Sequence, residues 1–582
     1  FRSEVIVCEQ AKAGDKYQIV LCAFTGVQTF QMVLHSQLKV LDRKAEKYYY
    51  DLSVPYNVSL LLPSQEKAYI DIITALNESV NLLDLRKPFS AEYYASLEKA
   101  QAYLDTEFYG KLCGKNVESK VYCVGHTHID CAWLWTLAVT EDKAVRSFST
   151  VIELMKQFPE YIFMSSQPLL YKFVKKNAPE LYEQIKQRIN EGQWEPDGAM
   201  FVEADCNLSS GEALVRQVLF GKRFFMQEFN KDNKILWLPD VFGYSAALPQ
   251  IMQKSGLPYF MTTKISWNEF NKLPYDTFMW EGIDGTKVLT HFIPARDYEK
   301  IESHDEYHAS HFTTYNGMLE PSQVKGGWQR YQQKHITDEV MMCFGYGDGG
   351  GGPTKEMLEN ARRMSAGIPG CPQVVMSTAR NFFETIEEEV KDNKYLPTWS
   401  GELYLEYHRG TYTSMARNKK FNRKSEFAYQ NTELYSMMNR NLNGAAYPQD
   451  KINDGWEVLL KNQFHDILPG SSIKEVYEDS REEYKAILAQ SSAMIAQALD
   501  ELTASVSVPA NSLVVYNPNG FENNEVVTFT APEGMTNVSV YDGDKKLNAQ
   551  KLSDGSYLFK AMGVPSKGYK SFTLKDEASD AA

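Results

Sequence analysis

Long apolar runs are missing from this chain: none approaches the ~18 residues that a membrane-spanning helix needs. No basic-then-apolar leader stands at the front. The first residue is Phe1 rather than Met, so the sequence reads as a fragment whose address signal, if it has one, lies elsewhere. Cysteine is scarce and scattered, with 8 residues at Cys8, Cys22, Cys113, Cys123, Cys131, Cys206, Cys343 and Cys371. No two form a Cys-x-x-Cys pair, which argues against a thiolate zinc site and a dense disulfide framework. A reducing, cytoplasmic setting is expected, with no membrane partner. Positive charge is also short: 61 Lys and Arg against 75 Asp and Glu leave a net charge of −14. That balance argues against a broad basic face for nucleic acid. Acidity alone names no partner.

At roughly 100–200 residues per domain, a chain of 582 residues predicts three or four domains. The aromatic share of 13% suits a carbohydrate site and a large core equally. Residues 1–118 read as a leading unit. Alternating segments (Lys16–Phe24, Thr29–Val40) precede a helical stretch with Tyr69, Ile70, Ile72, Ile73, Leu76 and Val80 at helical spacing, and a second stretch over Ala91–Tyr109. Packing or assembly, including homo-oligomer formation, is the role expected there.

Over 119–395 the rhythm changes. Short apolar runs at Val121–Val124, Tyr161–Met164, Ile235–Leu238, Tyr259–Thr263, Val288–Phe292, Val340–Phe344 and Val374–Met376 alternate with helical stretches. Such alternation indicates a parallel α/β sheet, open or closed into a barrel, with functional groups at the C-terminal strand ends. Residues 396–510 read as a helical bundle, with Ser472-Ile473-Lys474-Glu475 as a capping box before its last helix. Residues 511–582 have β texture and read as the start of a β-sandwich. The expected architecture is thus multidomain α/β + α + β, with an irregular parallel α/β barrel carrying the chemistry.

The first strand end delivers His126, His128 and Asp130, with Trp133 just beyond. Alternation points His128 and Asp130 the same way, and imidazole with carboxylate suits zinc or another divalent ion. A polar strand end is the bland alternative. Ile235-Leu236-Trp237-Leu238-Pro239-Asp240 turns abruptly acidic, either as a helix cap or as a site residue. Met341-Met342-Cys343-Phe344-Gly345-Tyr346-Gly347-Asp348 does the same before Gly349-Gly350-Gly351-Gly352-Pro353. No Gly-Lys-Ser/Thr follows, so this is no P-loop, and the glycines read as turn chemistry or as slim backbone beside Asp348. Downstream, His465-Asp466 is either a helix C-cap favoured by the dipole or a distant ligand. Two carboxylates at separate strand ends are what a retaining glycosidase requires.

These stretches resemble glycoside hydrolase family 38, the α-mannosidases, and within it the branch of cytosolic, vacuolar and bacterial enzymes. The resemblance rests on Gly125-His126-Thr127-His128-Ile129-Asp130-Cys131-Ala132-Trp133-Leu134-Trp135, on Trp194-Glu195-Pro196-Asp197-Gly198 and on Glu203-Ala204-Asp205-Cys206-Asn207. It continues through Trp237-Leu238-Pro239-Asp240-Val241-Phe242-Gly243-Tyr244-Ser245, the Phe344–Pro353 stretch and Phe464-His465-Asp466. It implies a retaining exo-α-mannosidase acting on mannosidic oligosaccharides with one divalent metal, usually zinc. By position, His128, Asp130, Asp240 and His465 resemble the metal ligands, Asp240 also the nucleophile, and Asp348 the general acid/base. Trp133 resembles an aromatic that stacks on the sugar, and Asp466 a carboxylate that binds its hydroxyls. Lys264 stands where much of the family has Arg, keeping the charge without the bidentate fork. His408 lies nearest the slot that holds a Trp in Golgi-type members. Two rivals remain from the residues alone: a metal-dependent sugar deacetylase, which would not need Asp348, and a non-catalytic mannoside-binding protein.

Overall fold

The computed structural model describes residues 6–21, 37–115, 117–299 and 312–577. The alternating segments expected near the front fall largely outside these residues, and their described parts, 16–21 and 37–40, are not in strands. Two compact units are formed, one by Phe1–Lys420 with Leu460–Ser480, the other by Phe421–Leu459 with Arg481–Ala582.

The first unit opens with three helices, α1 (Arg43–Ser59), α2 (Lys67–Val80) and α3 (Ala91–Tyr103), the last running on into a π-helical segment, Leu104–Tyr109. The Asp42 carboxylate caps α1 by accepting from the N–H groups of Lys44 and Ala45, which satisfies donors the first turn leaves open. Alternating elements follow: β1 (Lys120–His126), α4 (Leu137–Gln157), β2 (Phe163–Ser165), α5 (Pro168–Asn177), α6 (Pro179–Glu191), β3 (Trp194–Pro196), α7 (Gly211–Phe229), β4 (Ile235–Trp237) and α8 (Leu248–Lys254). Then come β5 (Tyr259–Thr262), β6 (Thr277–Glu281), β7 (Lys287–Phe292), α9 (Pro321–Arg330), β8 (Glu339–Phe344), α10 (Lys355–Met364), β9 (Gln373–Met376), α11 (Ala379–Val390) and β10 (Thr398–Ser400). The leading helices are locked to this array by a buried pair in which Asp51 of α1 meets Arg363 of α10 at 2.8 Å.

The strands pair into two five-stranded sheets. In the first, β3, β2, β1 and β8 lie in that order, all parallel, with β9 also parallel to β1. In the second the order is β10-β6-β7-β5-β4, parallel except between β6 and β7. The parallel α/β character expected here is present. The described ladders form two sheets rather than one closed barrel, linked by a single parallel bridge from Gly198 to Leu236. One cause is local. Gly282-Ile283-Asp284-Gly285 makes a tight turn between β6 and β7, with Gly285 at φ +82°. A short turn of this kind joins antiparallel strands, whereas a parallel pair needs a crossover. From Val121 on, β1 is buried, the pattern of a strand covered on both faces.

The second unit takes in most of three helices, α12 (Ala416–Asn443), α13 (Gln449–Lys461) and α14 (Lys474–Ala504). Tyr429 packs 5.9 Å from Trp456. A Cβ at Gly455 would sit 1.9 Å from the Tyr429 hydroxyl, so only glycine lets these helices approach so closely. The unit ends in two antiparallel sheets, β11 (Ser512–Tyr516), β17 (Tyr569–Lys575), β13 (Ser539–Asp542) and β14 (Lys545–Leu547) in one, β12 (Val526–Phe529), β16 (Tyr557–Lys560) and β15 (Ala549–Lys551) in the other. They enclose a core that includes Phe529, Val540, Phe559, Phe572 and Leu574.

Candidate active site

The β1 strand ends at His126, and this histidine is structural. Its Nδ1 lies 2.9 Å from the Met164 carbonyl, and its Nε2 accepts from the Trp237 indole at 3.3 Å. Burial pushes it down to about 4, so the ring is neutral and both nitrogens are engaged. Beyond the strand the chain stays extended long enough for His128 and Asp130 to meet, with Nε2 and Oδ1 3.0 Å apart. The Asp130 N–H donates to the Asp348 carbonyl at 2.9 Å, which ties this segment to the exit of β8.

Asp240 lies just past β4. The helix after it, α8, is preceded by Ala247, so Asp240 is not its cap. Its Oδ1 is 2.6 Å from Lys264 Nζ, and its Oδ2 is 3.7 Å from His465 Nε2. The Lys264 side chain follows β5 and reaches this carboxylate over the Trp267 ring, 4.2 Å from its centroid. Burial by itself pushes the Asp240 carboxyl up, yet Lys264, His465 and His128 outweigh it and hold the group well below the ordinary carboxylate range. The Lys264 ammonium, expected at a substrate-binding position, is thus paired with Asp240.

His465 lies past the end of α13, outside the last turn, so the C-cap reading fails. It arrives by backbone pairing. Ala204 and Phe464 form an antiparallel bridge, Asp205 N–H donates to Gln463 O at 2.9 Å, and His465 N–H donates to Glu203 O at 3.2 Å. The His465 Nε2 then lies 3.4 Å from Asp130 Oδ1 and 3.6 Å from Asp466 Oδ2. Asp466 is held by the Ser471 hydroxyl at 2.5 Å, and burial raises its carboxyl to about 7. The Ser472 hydroxyl, expected in a capping box, donates to the carbonyls of Asp466 and Ala132 and pins this loop to the β1 exit.

One ligand atom from each of His128, Asp130, Asp240 and His465 lies within 4.8 Å of the others, and all four residues are buried. The buried His465 Nε2 has no hydrogen-bond partner, which is costly unless something else meets it. Although burial works against it, the surrounding Asp130, Asp240 and Asp466 raise the His465 imidazole to about 10. The site therefore calls for positive charge. Two imidazoles with two carboxylates fit a divalent ion of the zinc type.

Asp348 faces this cluster from the β8 exit. Its backbone takes the left-handed φ of +57°, an uncommon state for a non-glycine residue and one that gathers at functional sites. Its Oδ1 accepts from the Tyr315 hydroxyl at 3.0 Å and from the Asn316 amide at 3.4 Å. Burial raises its carboxyl, His128 opposes, and Asp130 and Asp240 add to the rise. The glycines around it serve close packing rather than phosphate binding: a Cβ at Gly345 would lie 2.2 Å from the His126 carbonyl. The half-buried Trp133 packs edge-on against Trp135, at 5.8 Å, and its carbonyl accepts from Ile473 N–H at 2.8 Å. His408 packs on Phe242 at 4.5 Å, and burial lowers it to about 4.

Two residues at this site carried no role in the sequence reading. Tyr315 touches Asp348 and packs edge-on against His128, ring centroids 5.0 Å apart; no motif marks it. Glu203 opens the Glu203-Ala204-Asp205-Cys206-Asn207 stretch. Its Oε2 lies 2.8 Å from His128 Nδ1.

Residues 118–402 match the family model for the glycosyl hydrolases family 38 N-terminal domain, and residues 406–502 that for the alpha mannosidase middle domain. The chain is similar to alpha-mannosidase G of Dictyostelium discoideum, 34% identical over 87% of this chain and 45% of the relative, and to human alpha-mannosidase 2C1, 36% identical over 87% and 46%. It is 39% identical to an alpha-mannosidase of Saccharomyces cerevisiae over 69% of this chain and 36% of that protein. The chain thus spans about half the length of the first two relatives and less of the third. The fold is like that of an alpha-mannosidase from Enterococcus faecalis, with a TM-score of 0.63 at 20% identity, covering 80% of this chain and 57% of the other.

Proposed function

The chain belongs to glycosyl hydrolase family 38, and from that membership we propose that it is a metal-dependent, retaining exo-α-mannosidase that removes terminal α-linked mannose from oligosaccharides or N-glycan fragments. The observation that carries the proposal is the convergence of His128, Asp130, Asp240 and His465 on one point, with Asp348 tied to Asp130 by a backbone hydrogen bond. A metal-binding cluster joined to a second, separately tuned carboxylate is what two-step glycoside hydrolysis needs.

In this reading His128, Asp130, Asp240 and His465 hold the metal, most simply zinc given the donor set. When bound, it supplies a fixed charge that grips sugar hydroxyls and balances the acidic cluster. Asp240, kept ionised by Lys264, attacks the anomeric carbon and forms a covalent glycosyl ester. Asp348, with its raised affinity for a proton, protonates the leaving oxygen and then takes a proton from the incoming water. Asp466 accepts hydrogen bonds from sugar hydroxyls, and Trp133 and His408 line the approach. The test is nitrophenol release from an aryl α-mannoside by the full chain, before and after chelation, and by the variants Asp240→Asn and Asp348→Ala. Loss of turnover in Asp240→Asn with the fold retained is expected. Near-normal turnover there sinks the assignment, and full activity of Asp348→Ala on an unactivated mannoside removes Asp348 as the general acid.

A further inference from the structure

We propose that Glu203 is the positioning residue for both histidines of the metal site, its side chain fixing one and its backbone the other; the proposal rests on the metal reading given above. Three observations converge on it. The Glu203 carboxylate approaches His128 Nδ1 at 2.8 Å, as an ion-pair contact rather than along an N–H axis. Its carbonyl oxygen lies 2.8 Å from His465 Nδ1 and also accepts the His465 backbone N–H at 3.2 Å. The two imidazoles stand nearly parallel, 22° apart with centroids at 5.4 Å. With both Nδ1 atoms turned to one residue, both Nε2 atoms turn to the other side, His128's toward Asp130 at 3.0 Å and His465's toward Asp130 and Asp240.

A ring nitrogen whose proton is held by an acceptor leaves the opposite nitrogen with a lone pair for a metal. The Glu203 carbonyl does this for His465 Nδ1; at His128 both nitrogens face carboxylates, Glu203 at Nδ1 and Asp130 at Nε2, so a cation shared by Nε2 and Asp130 would place the proton on the Glu203 side. Glu203 is well held for the task and is 1% exposed. Its Oε1 accepts from the Ser166 hydroxyl at 2.7 Å, and its N–H donates to Gln167 Oε1 at 3.2 Å. The Gln167 amide in turn donates to the Ile129 carbonyl at 3.1 Å, between His128 and Asp130. Gln167 holds this position in the left-handed region, at φ +62°. Ser166, Gln167 and Glu203 thus link the β2 exit to both histidine segments. The antiparallel bridge from Ala204 to Phe464 sets the register that brings the Glu203 carbonyl to His465.

The two halves of the role separate by mutation, because substitution removes the carboxylate and leaves the carbonyl. Zinc affinity of the full chain is measured by competition with a chromophoric chelator, for wild type, Glu203→Ala, Glu203→Asp and Glu203→Gln. Zinc K-edge absorption reports the number of imidazole ligands, and melting temperature is read in excess chelator. Glu203→Ala, and Glu203→Asp whose shorter side chain falls back from His128, are expected to bind zinc about 10–100-fold more weakly. Both keep the His465 ligand. Glu203→Gln, which still offers an oxygen to Nδ1–H, is expected to lie closest to wild type in affinity and to match it in chelator melting temperature. Unchanged affinity in both the Asp and Ala variants overturns the proposal, as does a fall in chelator melting temperature without a fall in affinity, the mark of a merely structural carboxylate. If the Ala variant does not fold, Glu203→Asp decides alone. A wild-type chain that binds no zinc in the same assay overturns the metal reading itself.

Discussion

Lys264→Met removes one charge from the cluster at nearly constant volume. The ammonium lies 2.6 Å from Asp240, with 6% and 11% of the two side chains exposed. At an effective dielectric of about 20, opposite charges roughly 3 Å apart attract by about 5–6 kcal/mol, and desolvation offsets much of that. What remains when one partner of a buried pair is stripped is a cost of about 3–5 kcal/mol. On the reaction, the loss of one oriented charge at the reacting centre is worth about 3–4 kcal/mol, or about 10²–10³-fold in rate. Lys264→Arg keeps the charge and is expected to retain most activity. The pH profile supplies a second readout. The folded Asp240 carboxyl is held below its ordinary value, chiefly by Lys264 against the effect of burial. Stability from that shift is therefore complete above the unfolded value and is lost as pH falls through the folded one. In the wild type the acid limb contributed by Asp240 accordingly lies below the ordinary carboxylate range, and in Lys264→Met it moves upward. The assay is kcat/KM on an aryl α-mannoside at saturating zinc, from about pH 4 to about pH 8. A Lys264→Met enzyme within about threefold of wild type, with no new acid limb rising into that pH window, refutes the assignment of Lys264 as the counter-charge of the nucleophile.

The Tyr315 hydroxyl favours the ionised form of Asp348, so Tyr315→Phe raises that carboxyl further. Because activity falls as pH rises through the value of the general acid, the alkaline limb of kcat/KM is expected to move to higher pH in this variant. Chelation is expected to abolish turnover and zinc to restore it; free zinc at about 100 times its Kd is expected to add about 2.7 kcal/mol of stability to the unit that binds it, read as a rise in melting temperature. Arg363→Met strips the buried Asp51 of its buried partner but leaves the half-exposed Lys47 2.6 Å away, so the cost is expected to stay below about 3 kcal/mol, seen as early loss of the leading helices in hydrogen exchange.

The legible parts of the fold were those where burial is continuous. Val121–Val124 and Val340–Phe344 announce strands because β1 and β8 are covered on both faces, and the observed strands extend these runs by no more than two residues at an end. Three strands gave no such sign. β3 is Trp-Glu-Pro, three residues long, and its carboxylate is turned inward to accept the N–H groups of Ala379 and Arg380 at the start of α11. β6 pairs through a hairpin in a region read as βα units, and β10 has three residues with at most partial burial. Periodicity reports a covered face, and these segments owe their pairing to neighbours already in position.

The same distinction runs through the site. His128, Asp130, Asp240 and Asp348 were found from strand ends, since a polar group that follows a buried strand must be met by something. That rule alone would have admitted His126, which the structure excludes: it is still within β1, and its Nδ1 and Nε2 meet Met164 and Trp237. The extended path of residues 127–130 frees the next two alternating positions for the cluster, so the end of the ladder, more than the spacing of the histidines, separates support from ligand. His465 was legible in the residues only as one of two readings, a helix C-cap or a distant ligand; the resemblance chose between them, and the physical cause of its placement lies elsewhere in the chain, in the bridge between the 203–205 and 463–465 segments. A ligand delivered by backbone pairing across more than two hundred residues leaves no periodic trace. It does leave a dependence: the acceptor that orients His465 is the backbone of the residue whose side chain meets His128, so a change in the register of that short pairing would disturb both rings together.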